Sequence, residues 1–539
     1  MKKIFILFLI SWFSILFSQQ VDTLYFLQTT DVHGHLYPYD YFKDEEANQG
    51  LARIYTRIVE YRQKYKNVFL VDSGDMVQGT PLSYYFNFIE TQIPNPFILA
   101  MNYMSYDAFA VGNHEIEQGK EVYDRLESES DFPWLSANSI LDDGNTYFQP
   151  YVIIKKNNFK IGILGLTTPG IPMWHDKSLY EGITWKDMVE TAKKYVKILK
   201  PQVDILIGLF HSGFELNAGS SRYKLMNLPP DNASNLVAEQ VPGFDIIFGG
   251  HTHNLNPKER ISIKNETATL KIISGAHGEY LGVAQLIIET SEDGFRIVEK
   301  NGWTESVAEV PPAEIILELT EYYHQKTLEF IRTDICYLSK TMNSKESYFK
   351  DTPIIELINK AQLDFTGVDI SFACCFNPGI SIDSGFIKVK DIYSIYPYEN
   401  FLYVVELTGQ QIKDYLEHSA DIFIYEDENI SLDPAIRGYN YDMAEGISYQ
   451  INILQKPGER IQEIIDLRTK EPLNLKKKYK VALNSYRAIG GGGHMAAVDA
   501  LDAEILFKSN MDIRTIMIDY LKKMNTIYPV VDNNWEIIF

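Results

Sequence analysis

Five short clusters of potential metal-binding side chains are spread through the first half of the chain. They are Asp31-Val32-His33, Gly74-Asp75, Gly112-Asn113-His114-Glu115, His211 and Gly250-His251-Thr252-His253. Imidazole nitrogens and carboxylate oxygens suit zinc, manganese and iron, and a carboxylate such as Asp75 can bridge neighbouring ions. Asn113 adds a neutral oxygen. One such residue is more often a turn or capping residue, but five clusters in order predict a shared metal site.

The clusters follow short apolar runs that have the length and composition of β-strands. Such runs occupy residues 24–27, 68–71, 161–166, 205–209 and 246–248. Between the first two, apolar residues recur at steps of three and four over residues 51–65, which predicts an amphipathic helix that packs on the sheet. This alternation indicates an α/β layer protein. Loops at the carboxyl ends of strands share one rim of such a sheet, so distant clusters can converge on one pocket.

A pair of divalent ions in this pocket would support the hydrolysis of phosphate esters. Two cations about 3.5–4 Å apart can bind phosphoryl oxygens, lower the pKa of a shared water and neutralise the leaving oxygen. His114 stands beside Asn113 and cannot easily be a ligand itself. It can instead direct its imidazole at the phosphoryl group and stabilise the charge of the transition state. We therefore predict a metal-dependent phosphoric ester hydrolase with His114 as a catalytic residue.

The ordered clusters resemble the calcineurin-like metallophosphoesterase superfamily and, within it, the 5′-nucleotidase family. The resemblance implies an N-terminal four-layer α/β catalytic domain, with two packed β-sheets flanked by helices, and a connector helix to a C-terminal α/β nucleotide-binding domain. It also implies two divalent ions of the zinc, manganese, iron or cobalt type. By similarity, one ion would be held by Asp31, His33 and His253 and the other by Asn113, His211 and His251, with Asp75 as the bridge.

One position departs from many relatives, which carry an aspartate three residues after the catalytic histidine. The run here is His114-Glu115-Ile116-Glu117, so the carboxylate of Glu117 is on a side chain that is one methylene longer. Glu117 can still raise the pKa of His114 and act as a second catalytic residue, or it can be an ordinary solvated helix residue. The sequence leaves both alternatives open.

Two aromatic segments in the second half of the chain could bind a nucleobase. They are Tyr396-Pro397-Tyr398-Glu399-Asn400 and Asn484-Ser485-Tyr486-Arg487-Ala488-Ile489-Gly490-Gly491. A flat aromatic pair can sandwich a base with about 1–3 kcal/mol of stacking per base. An aromatic residue in such a loop is otherwise often part of a core. Both segments resemble the base-stacking loops of the family, and this similarity assigns Tyr398 and Tyr486 to base binding.

Other segments resemble the periplasmic 2′,3′-cyclic-nucleotide 2′-phosphodiesterase/3′-nucleotidase branch of the family. They are Tyr39-Asp40-Tyr41, Tyr439-Asn440-Tyr441-Asp442 and Asp532-Asn533-Asn534-Trp535. Typical 5′-nucleotidases carry a phosphate-binding arginine after a Gly-rich turn, whereas the stretch here is Asn377-Pro378-Gly379-Ile380-Ser381. The missing arginine disfavours a 5′-monophosphate substrate. We place Asn377 of this stretch among the substrate-binding residues.

The branch resemblance implies ring opening of a 2′,3′-cyclic nucleotide, followed by hydrolysis of the 3′-nucleotide to nucleoside and phosphate. The alternative is a 5′-nucleotidase or UDP-sugar hydrolase with the same metals. A more distant alternative is a non-catalytic nucleotide-binding protein, for which intact metal ligands would be unnecessary.

The length of 539 residues and the apolar content of 45% predict two domains. The pattern breaks at Val310-Pro311-Pro312, and an acidic helical segment follows up to about residue 332. We therefore predict a catalytic domain over residues 19–310, a connector helix or hinge over residues 311–335 and a substrate-binding domain over residues 336–539.

The N-terminus has the pattern of a secretory signal peptide over residues 1–18. Lys2 and Lys3 precede an apolar run over residues 4–17, which is shorter than the about 20 residues of a membrane-spanning helix. We expect a periplasmic or secreted protein without a membrane anchor, monomeric by default. The net charge of −22 disfavours long nucleic acid as a partner, whereas small nucleotides remain possible because bound metal reverses the local field. Three cysteines, two of them adjacent, argue against a disulfide framework.

Overall fold

The first half of the chain forms two β-sheets with flanking helices. The structure, a computed structural model, describes residues 20–215, 227–264, 267–291 and 294–539. The predicted signal peptide over residues 1–18 lies outside this range. In the part of the chain that is described, no helix combines the length and the apolar character that crossing a membrane requires.

The first sheet has seven strands among the described residues. In spatial order they are Ile261–Ile263, Gly294–Ser306, Tyr280–Ser291, Gln20–Thr29, Val68–Asp72, Ala108–Ala110 and Trp134–Leu135. The strand Gln20–Thr29 is parallel to Val68–Asp72 and antiparallel to Tyr280–Ser291. Successive side chains of a strand point to opposite faces, so Phe26 packs against the second sheet and Leu27 packs against the outer helices.

The second sheet has six strands within the described ranges. In spatial order they are Leu255–Asn256, Leu270–Ser274, Ile246–Phe248, Ile205–His211, Phe159–Thr167 and Tyr151–Lys156. The four central strands are parallel, so their carboxyl ends reach the same edge. Buried side chains from both sheets form one continuous hydrophobic core between them.

Helices cover the outer face of each sheet. Those on the first sheet are Leu51–Lys64, Pro96–Met104 and Lys120–Glu129, and those on the second are Met188–Leu199 and Ser234–Gln240. Leu51, Ile54 and Ile58 are buried along the predicted apolar stripe of the first helix. The predicted arrangement of two packed sheets between layers of helices is confirmed.

The helix Glu314–Ile331 follows the two-sheet unit and leads into the second half of the chain. Ile316, Tyr323 and Leu328 of this helix pack in the core on the outer side of the first sheet. Phe330 contacts that core and the core of the second half. The helix agrees with the predicted acidic helical segment, while the domain limits 19–310, 311–335 and 336–539 stay predictions.

The second half of the chain is built on a mixed sheet with its own hydrophobic core. The strands of this sheet, in spatial order, are Asp442–Glu445, Ile370–Cys374, Lys478–Asn484, Phe401–Thr408 and Ile505–Asp512. Its longer helices are Pro353–Thr366, Val389–Ile395, Gly409–Ala420 and Ile513–Lys522. The helix Gly409–Ala420 begins with the predicted capping box of Thr408 and Gln411.

Smaller elements complete this half of the chain. One sheet joins Glu471–Pro472, Ile461–Asp466, Ile447–Asn452 and Trp535–Ile538, and another joins Gly385–Lys388, Asp334–Leu338 and Thr526–Ile527. Short ribbons pair Met342–Asn343 with Ser381–Ile382 and Phe423–Glu426 with Asn429–Leu432. Cys336, Cys374 and Cys375 are buried free thiols.

Candidate functional site

The predicted metal ligands meet at the carboxyl ends of strands from both sheets. Asp31 and Asp75 come from loops after strands of the first sheet, Asn113 begins the short helix Asn113–Glu117 after another strand of that sheet, and His211 ends a strand of the second. None of these four residues is more than 4% exposed. The second sheet also supplies the loop with His251 and His253, and the first supplies His33.

The candidate ligand atoms form two groups, which a third group of His33, Asp75 and His114 overlaps. Within each group, the atoms lie within 4.8 Å of one another. The groups are Asp31, His33 and His253, and Asp75, His211 and His251. Asn113 Oδ1 lies 3.0 Å from His211 Nε2 and so joins the second group. The grouping parallels the division of ligands that the family resemblance implies.

The hydrogen bonds around His211 produce a set of converging lone pairs. Its Nδ1 lies 2.8 Å from the carbonyl oxygen of Ser73, so this nitrogen carries the proton in the neutral ring. Its Nε2 then faces Asn113 Oδ1 at 3.0 Å and Asp75 Oδ2 at 3.0 Å. Three acceptors at this separation repel one another unless a proton on Nε2 or a cation lies among them. The donor set therefore fits a divalent metal ion.

His33 and His253 show the same arrangement. His33 Nδ1 lies 3.2 Å from Gln78 Oε1, which leaves Nε2 to face His253 Nε2 at 2.9 Å. His253 Nε2 is also 3.5 Å from Asp31 Oδ1. The carboxylate of Asp31 is oriented by the backbone N–H of His251, which donates to Oδ1 at 2.9 Å. Such supporting hydrogen bonds fix the tautomer and direction of metal ligands.

Five of the seven predicted ligands have a left-handed backbone. The φ angles are 49° at Asp31, 48° at His33, 59° at Asp75, 72° at His251 and 58° at His253. Residues other than glycine rarely adopt this region, and each instance costs on the order of 1–3 kcal/mol. Strain of this kind collects at functional sites, where the surrounding structure enforces it.

Glu115 links the segments that carry Asp75 and Asn113 by hydrogen bonds. Its fully buried carboxylate accepts the backbone N–H of Asp75 at 2.8 Å and that of Gly112 at 2.8 Å. Asp75 Oδ1 in turn accepts the backbone N–H of His114 at 2.8 Å. Glu115 has no predicted role from the sequence, although an acidic residue in the first turn of a short helix is a recognisable capping signal.

His114 and Glu117 form a partly buried pair beside the candidate ligands. His114 Nδ1 contacts Glu117 Oε2, and the two side chains are 27% and 15% exposed. Burial opposes protonation of His114, but the charge of Glu117 and then that of Asp75 raise its pKa to about 10. The structure therefore places Glu117 against His114 and not in the position of a solvated helix residue.

A cavity of about 220 Å³ adjoins the candidate metal ligands. The first half of the chain lines it with Asn113, His114, Glu117, Trp174, His175 and His251. The second half lines it with Phe376, Tyr398, Asn400, Tyr439, Asn484, Tyr486 and Arg487. The metal-binding end is polar and the opposite end is aromatic. The cavity therefore offers one compartment for a phosphate group and another for a flat ring.

The structure brings Tyr398 and Tyr486 into this cavity but leaves Asn377 outside its lining. The ring of Tyr398 packs 5.2 Å from that of Phe376. Any side chain in place of Gly491 would put its Cβ 2.4 Å from the Tyr486 ring. Glycine at this position therefore allows the ring to pack against the backbone of residue 491. The side chain of exposed Asn377 accepts the backbone N–H of Gly379 at 3.0 Å and serves its own turn.

Arg487 lines the cavity, yet its guanidinium is engaged by the protein. Nε donates to Asp442 Oδ2 at 2.8 Å and Nη2 donates to Asp442 Oδ1 at 3.1 Å. Nη1 donates to the Gly491 carbonyl at 3.2 Å and to Asn440 Oδ1 at 3.2 Å, and Nη2 also donates to the Tyr439 carbonyl. Arg487 therefore joins the segments that carry Tyr439 and Tyr486.

Hydrogen bonds between polar side chains connect the two halves of the chain. Lys508 Nζ donates to Asp176 Oδ2 at 2.5 Å, and Gln118 Nε2 donates to Glu399 Oε2 at 3.1 Å. Lys390 Nζ donates to Asp44 Oδ2 at 3.1 Å. These contacts hold the aromatic end of the cavity over the metal-binding end.

Comparison with known proteins accounts for both halves of the chain. Residues 24–255 match the calcineurin-like phosphoesterase model, and residues 331–499 match the model of the 5′-nucleotidase C-terminal domain. The chain is a calcineurin-like phosphoesterase with a 5′-nucleotidase C-terminal domain. The predicted family and the predicted metal-dependent phosphoric ester hydrolase are thereby confirmed.

Three similar proteins bear on this phosphoesterase. A trifunctional nucleotide phosphoesterase of Bacillus subtilis is 30% identical over 95% of this chain, which spans 38% of that protein. A 2′,3′-cyclic-nucleotide 2′-phosphodiesterase/3′-nucleotidase of Yersinia enterocolitica is 28% identical over 95% of this chain and 87% of its own length. The solved structure of a proposed 5′-nucleotidase of Staphylococcus aureus has a TM-score of 0.80 at 22% identity and covers 96% of this chain and 100% of its own. The last likeness concerns the fold alone.

Proposed function

We propose that this phosphoesterase opens 2′,3′-cyclic nucleotides to 3′-nucleotides and hydrolyses these to nucleoside and phosphate. The observation that carries the proposal is the single cavity that joins the candidate metal ligands to the aromatic side chains Tyr398 and Tyr486. The relative from Yersinia enterocolitica, which carries this activity in its name, covers 95% of the chain. The segment around Asn377 lacks the arginine that typical 5′-nucleotidases use for phosphate.

Two divalent ions of the zinc, manganese, iron or cobalt type are part of this proposal. Asp31, His33 and His253 would hold one ion, and Asn113, His211 and His251 the other, with Asp75 shared between them. When bound, such ions polarise the phosphoryl group and activate a water molecule as nucleophile.

The chain's own residues would orient the ester and stabilise its charge. Because Glu117 engages Nδ1 of His114, the other ring nitrogen of His114 is the one that can donate to a phosphoryl oxygen. Tyr398 and Tyr486 would hold the base by stacking, which contributes about 1–3 kcal/mol per base and discriminates little among bases. Closure of the two halves would keep bulk water out of the cavity, apart from the water that reacts.

Export of the protein belongs to the proposal as well. It is supported by Lys2, Lys3 and the apolar run over residues 4–17, which have the pattern of a cleaved signal peptide. Nucleotides outside the cytoplasm would then be the substrates.

A substrate panel tests the proposal. Purified protein loaded with zinc, manganese, iron or cobalt is assayed for phosphate release and ring opening on 2′,3′-cyclic AMP, 3′-AMP, 5′-AMP and UDP-glucose. We expect the first two to be turned over with the highest kcat/KM. Fastest turnover of 5′-AMP or UDP-glucose, with no turnover of the cyclic nucleotide, would overturn the substrate assignment. Binding of nucleotides without turnover under every metal would instead support a binding protein.

A further inference from the structure

Gln118 lies at the end of the short helix that carries His114 and Glu117. Its side chain is buried and reaches the second half of the chain, where its Nε2 donates to Glu399 Oε2 at 3.1 Å. Glu399 directly follows Tyr398, which lines the aromatic end of the cavity. One buried hydrogen bond therefore connects the helix of the His114–Glu117 pair with the neighbour of a predicted base-binding residue.

Two backbone groups fix the direction in which the amide of Gln118 points. Asn87 Nδ2 donates to the Val77 carbonyl at 2.8 Å, and the same nitrogen donates to Gln118 Oε1 at 2.9 Å. Asn87 Oδ1 accepts from Asn95, whose own Oδ1 accepts the backbone N–H of Phe97 at 3.0 Å. A carbonyl can only accept and a backbone N–H can only donate, so the reversed orientation of these amides is excluded. Gln118 therefore presents its NH2 group to the second half of the chain.

Glu399 is held from its own half of the chain by a buried arginine. Arg514 Nη2 lies 3.3 Å from Glu399 Oε1 and 2.8 Å from Asp512 Oδ2. The guanidinium carbon lies 4.4 Å from the centre of the Tyr393 ring and 4.8 Å from that of the Tyr84 ring. Tyr84 belongs to the first half, so the halves also meet at this arginine. One oxygen of Glu399 is thus oriented by a cation and the other by a donor of the first half.

A second cavity lies beside the contact between Gln118 and Glu399. It has a volume of about 230 Å³ and is lined by residues of both halves, among them Gln118, Glu399 and Glu117. Side chains at the edge of a cavity have no packing partner on that side, so the hydrogen bond contributes more to the contact there than packing does. Glu117 also lines the cavity at the metal ligands, whereas Gln118 and Glu399 lie outside its lining.

The phosphate and the base of a nucleotide would bind to different halves of the chain. His114 and the candidate metal ligands belong to the first half, whereas Tyr398 and Tyr486 belong to the second. A ligand that engages both ends gains the full contribution of each only if the ends already have the separation that the ligand spans. A ligand that engages one end needs no such alignment.

We propose that Gln118 and Glu399 form a positioning contact that holds the aromatic end of the cavity at the distance from His114 that a nucleotide spans. This inference rests on the proposed function, since it takes a phosphate ester of a nucleoside as the substrate. The contact would favour binding and turnover of whole nucleotides without touching them. It would contribute nothing to the binding of adenosine alone or of inorganic phosphate alone.

A swap of the two side chains tests the proposal. Gln118→Glu keeps the oxygen that accepts from Asn87 but places a carboxylate against Glu399, so the halves repel each other there. Glu399→Gln places an NH2 group against that of Gln118 or against Arg514. Each single variant should lower kcat/KM for 3′-AMP at pH 8 about 10–100-fold, the range of a hydrogen bond to a charged group.

The double variant Gln118→Glu with Glu399→Gln should recover most of this loss. The amide at residue 399 then donates to the carboxylate at residue 118, so the bond is restored with its direction reversed, while the oxygen that faces Arg514 is kept. Such a recovery measures coupling between the two positions, which independent damage at each position does not produce.

Calorimetry with adenosine and with inorganic phosphate on metal-loaded protein separates positioning from structural damage. Both affinities should stay at the wild-type values in every variant, because each ligand binds to one half. Gln202→Glu adds the same charge to an exposed turn of the first half and is the matched control, which should leave all values unchanged.

The outcomes that overturn the positioning contact differ from those that overturn the proposed function. Wild-type turnover of 3′-AMP in the single variants, or a double variant no better than they are, would refute the contact between Gln118 and Glu399. A fall in the affinity for adenosine or phosphate as large as the fall in kcat/KM would also refute it. If the wild type hydrolyses 5′-AMP and not 3′-AMP, the proposed ester is wrong, and the same comparison on 5′-AMP decides the contact. A wild type that hydrolyses no nucleotide would refute both proposals.

Discussion

Arg487 and Asp442 form a doubly hydrogen-bonded ion pair in the interior of the second half of the chain. Each side chain is 2% exposed, and the two bonds measure 2.8 and 3.1 Å. The pair joins the strand that begins at Asp442 to the short helix Ser485–Ala488, whose residues Tyr486 and Arg487 line the aromatic end of the cavity. An arginine at a nucleotide pocket suggests phosphate binding, but this one is a structural support because its donors are already in use.

Removal of this arginine should destabilise the second half of the chain. Arg487→Met leaves Asp442 buried without its partner, and we expect a loss of about 3–5 kcal/mol in the free energy of unfolding. Denaturant unfolding followed by tryptophan fluorescence measures the loss. The control is Lys193→Met, which removes a pair with Glu190 whose side chains are 41% and 72% exposed and should cost about 0–1 kcal/mol. Equal losses in the two variants would contradict the structural role of Arg487.

Substitution of Glu115 should weaken metal binding although Glu115 is not a predicted ligand. Glu115→Gln replaces one acceptor oxygen by an NH2 group. This group then faces either the backbone N–H groups of Asp75 and Gly112, which both donate to Oε2, or that of Met76, which donates to Oε1. The two loops would separate, and we expect metal affinity and kcat to fall about 10–100-fold, as for other residues that support ligands. Elemental analysis after dialysis against low metal measures the affinity. Glu121→Gln, in the first turn of the next helix, is the control and should retain its metal.

Substitution of a candidate metal ligand should lower turnover and leave the affinity for the nucleobase nearly unchanged. Asn113→Ala removes the oxygen that lies 3.0 Å from His211 Nε2 and should lower kcat by more than about 100-fold. Tyr398 and Tyr486 are unaffected, so calorimetry with a nucleoside should give nearly the wild-type affinity. Unchanged turnover in Asn113→Ala would exclude the proposed two-metal mechanism.

Contact between the two halves should weaken in acid. Burial opposes ionisation of Asp176, but hydrogen bonds from Lys508 and Ser178 lower its pKa to about 2. Burial likewise opposes ionisation of Asp44, but hydrogen bonds that include those from Arg332 and Lys390 lower its pKa to about 2. Both values are depressed from 3.8, so the stabilisation is fully present above about pH 4 and is lost as the pH falls towards 2.

Small-angle scattering between pH 6 and pH 3 should show this change as an increase in the radius of gyration. The double variant Lys508→Ala and Lys390→Ala lacks the two lysines that pair with Asp176 and Asp44, so it should be more open already at pH 6 and should change less. An identical profile in the double variant and the wild type would show that these pairs do not hold the halves together.

The candidate metal centre could be predicted because its chemistry is carried by residue type and order. Asp31, Asp75 and His211 each stand at or just after the end of an apolar run, and a run of that length and composition favours a buried strand. The carboxyl ends of such strands then bring the side chains to one edge. The aromatic residues Tyr398 and Tyr486 were predicted from a resemblance and not from a physical signal of their own, since an isolated aromatic residue in a loop is equally compatible with a core position.

Only the tertiary structure decided how the remaining polar residues pair. Glu117 contacts His114, the donors of Arg487 are consumed by Asp442 and nearby carbonyls, and Nε2 of His175 is left without a partner. Each outcome depends on distances between segments that are remote in the chain or on the local course of a loop. Sequence alone determined which donors and acceptors this protein carries and the order in which they occur. Packing determined which are satisfied within the protein and which face the cavity, because a hydrogen bond depends on distances of a few tenths of an ångström that periodicity and composition do not encode.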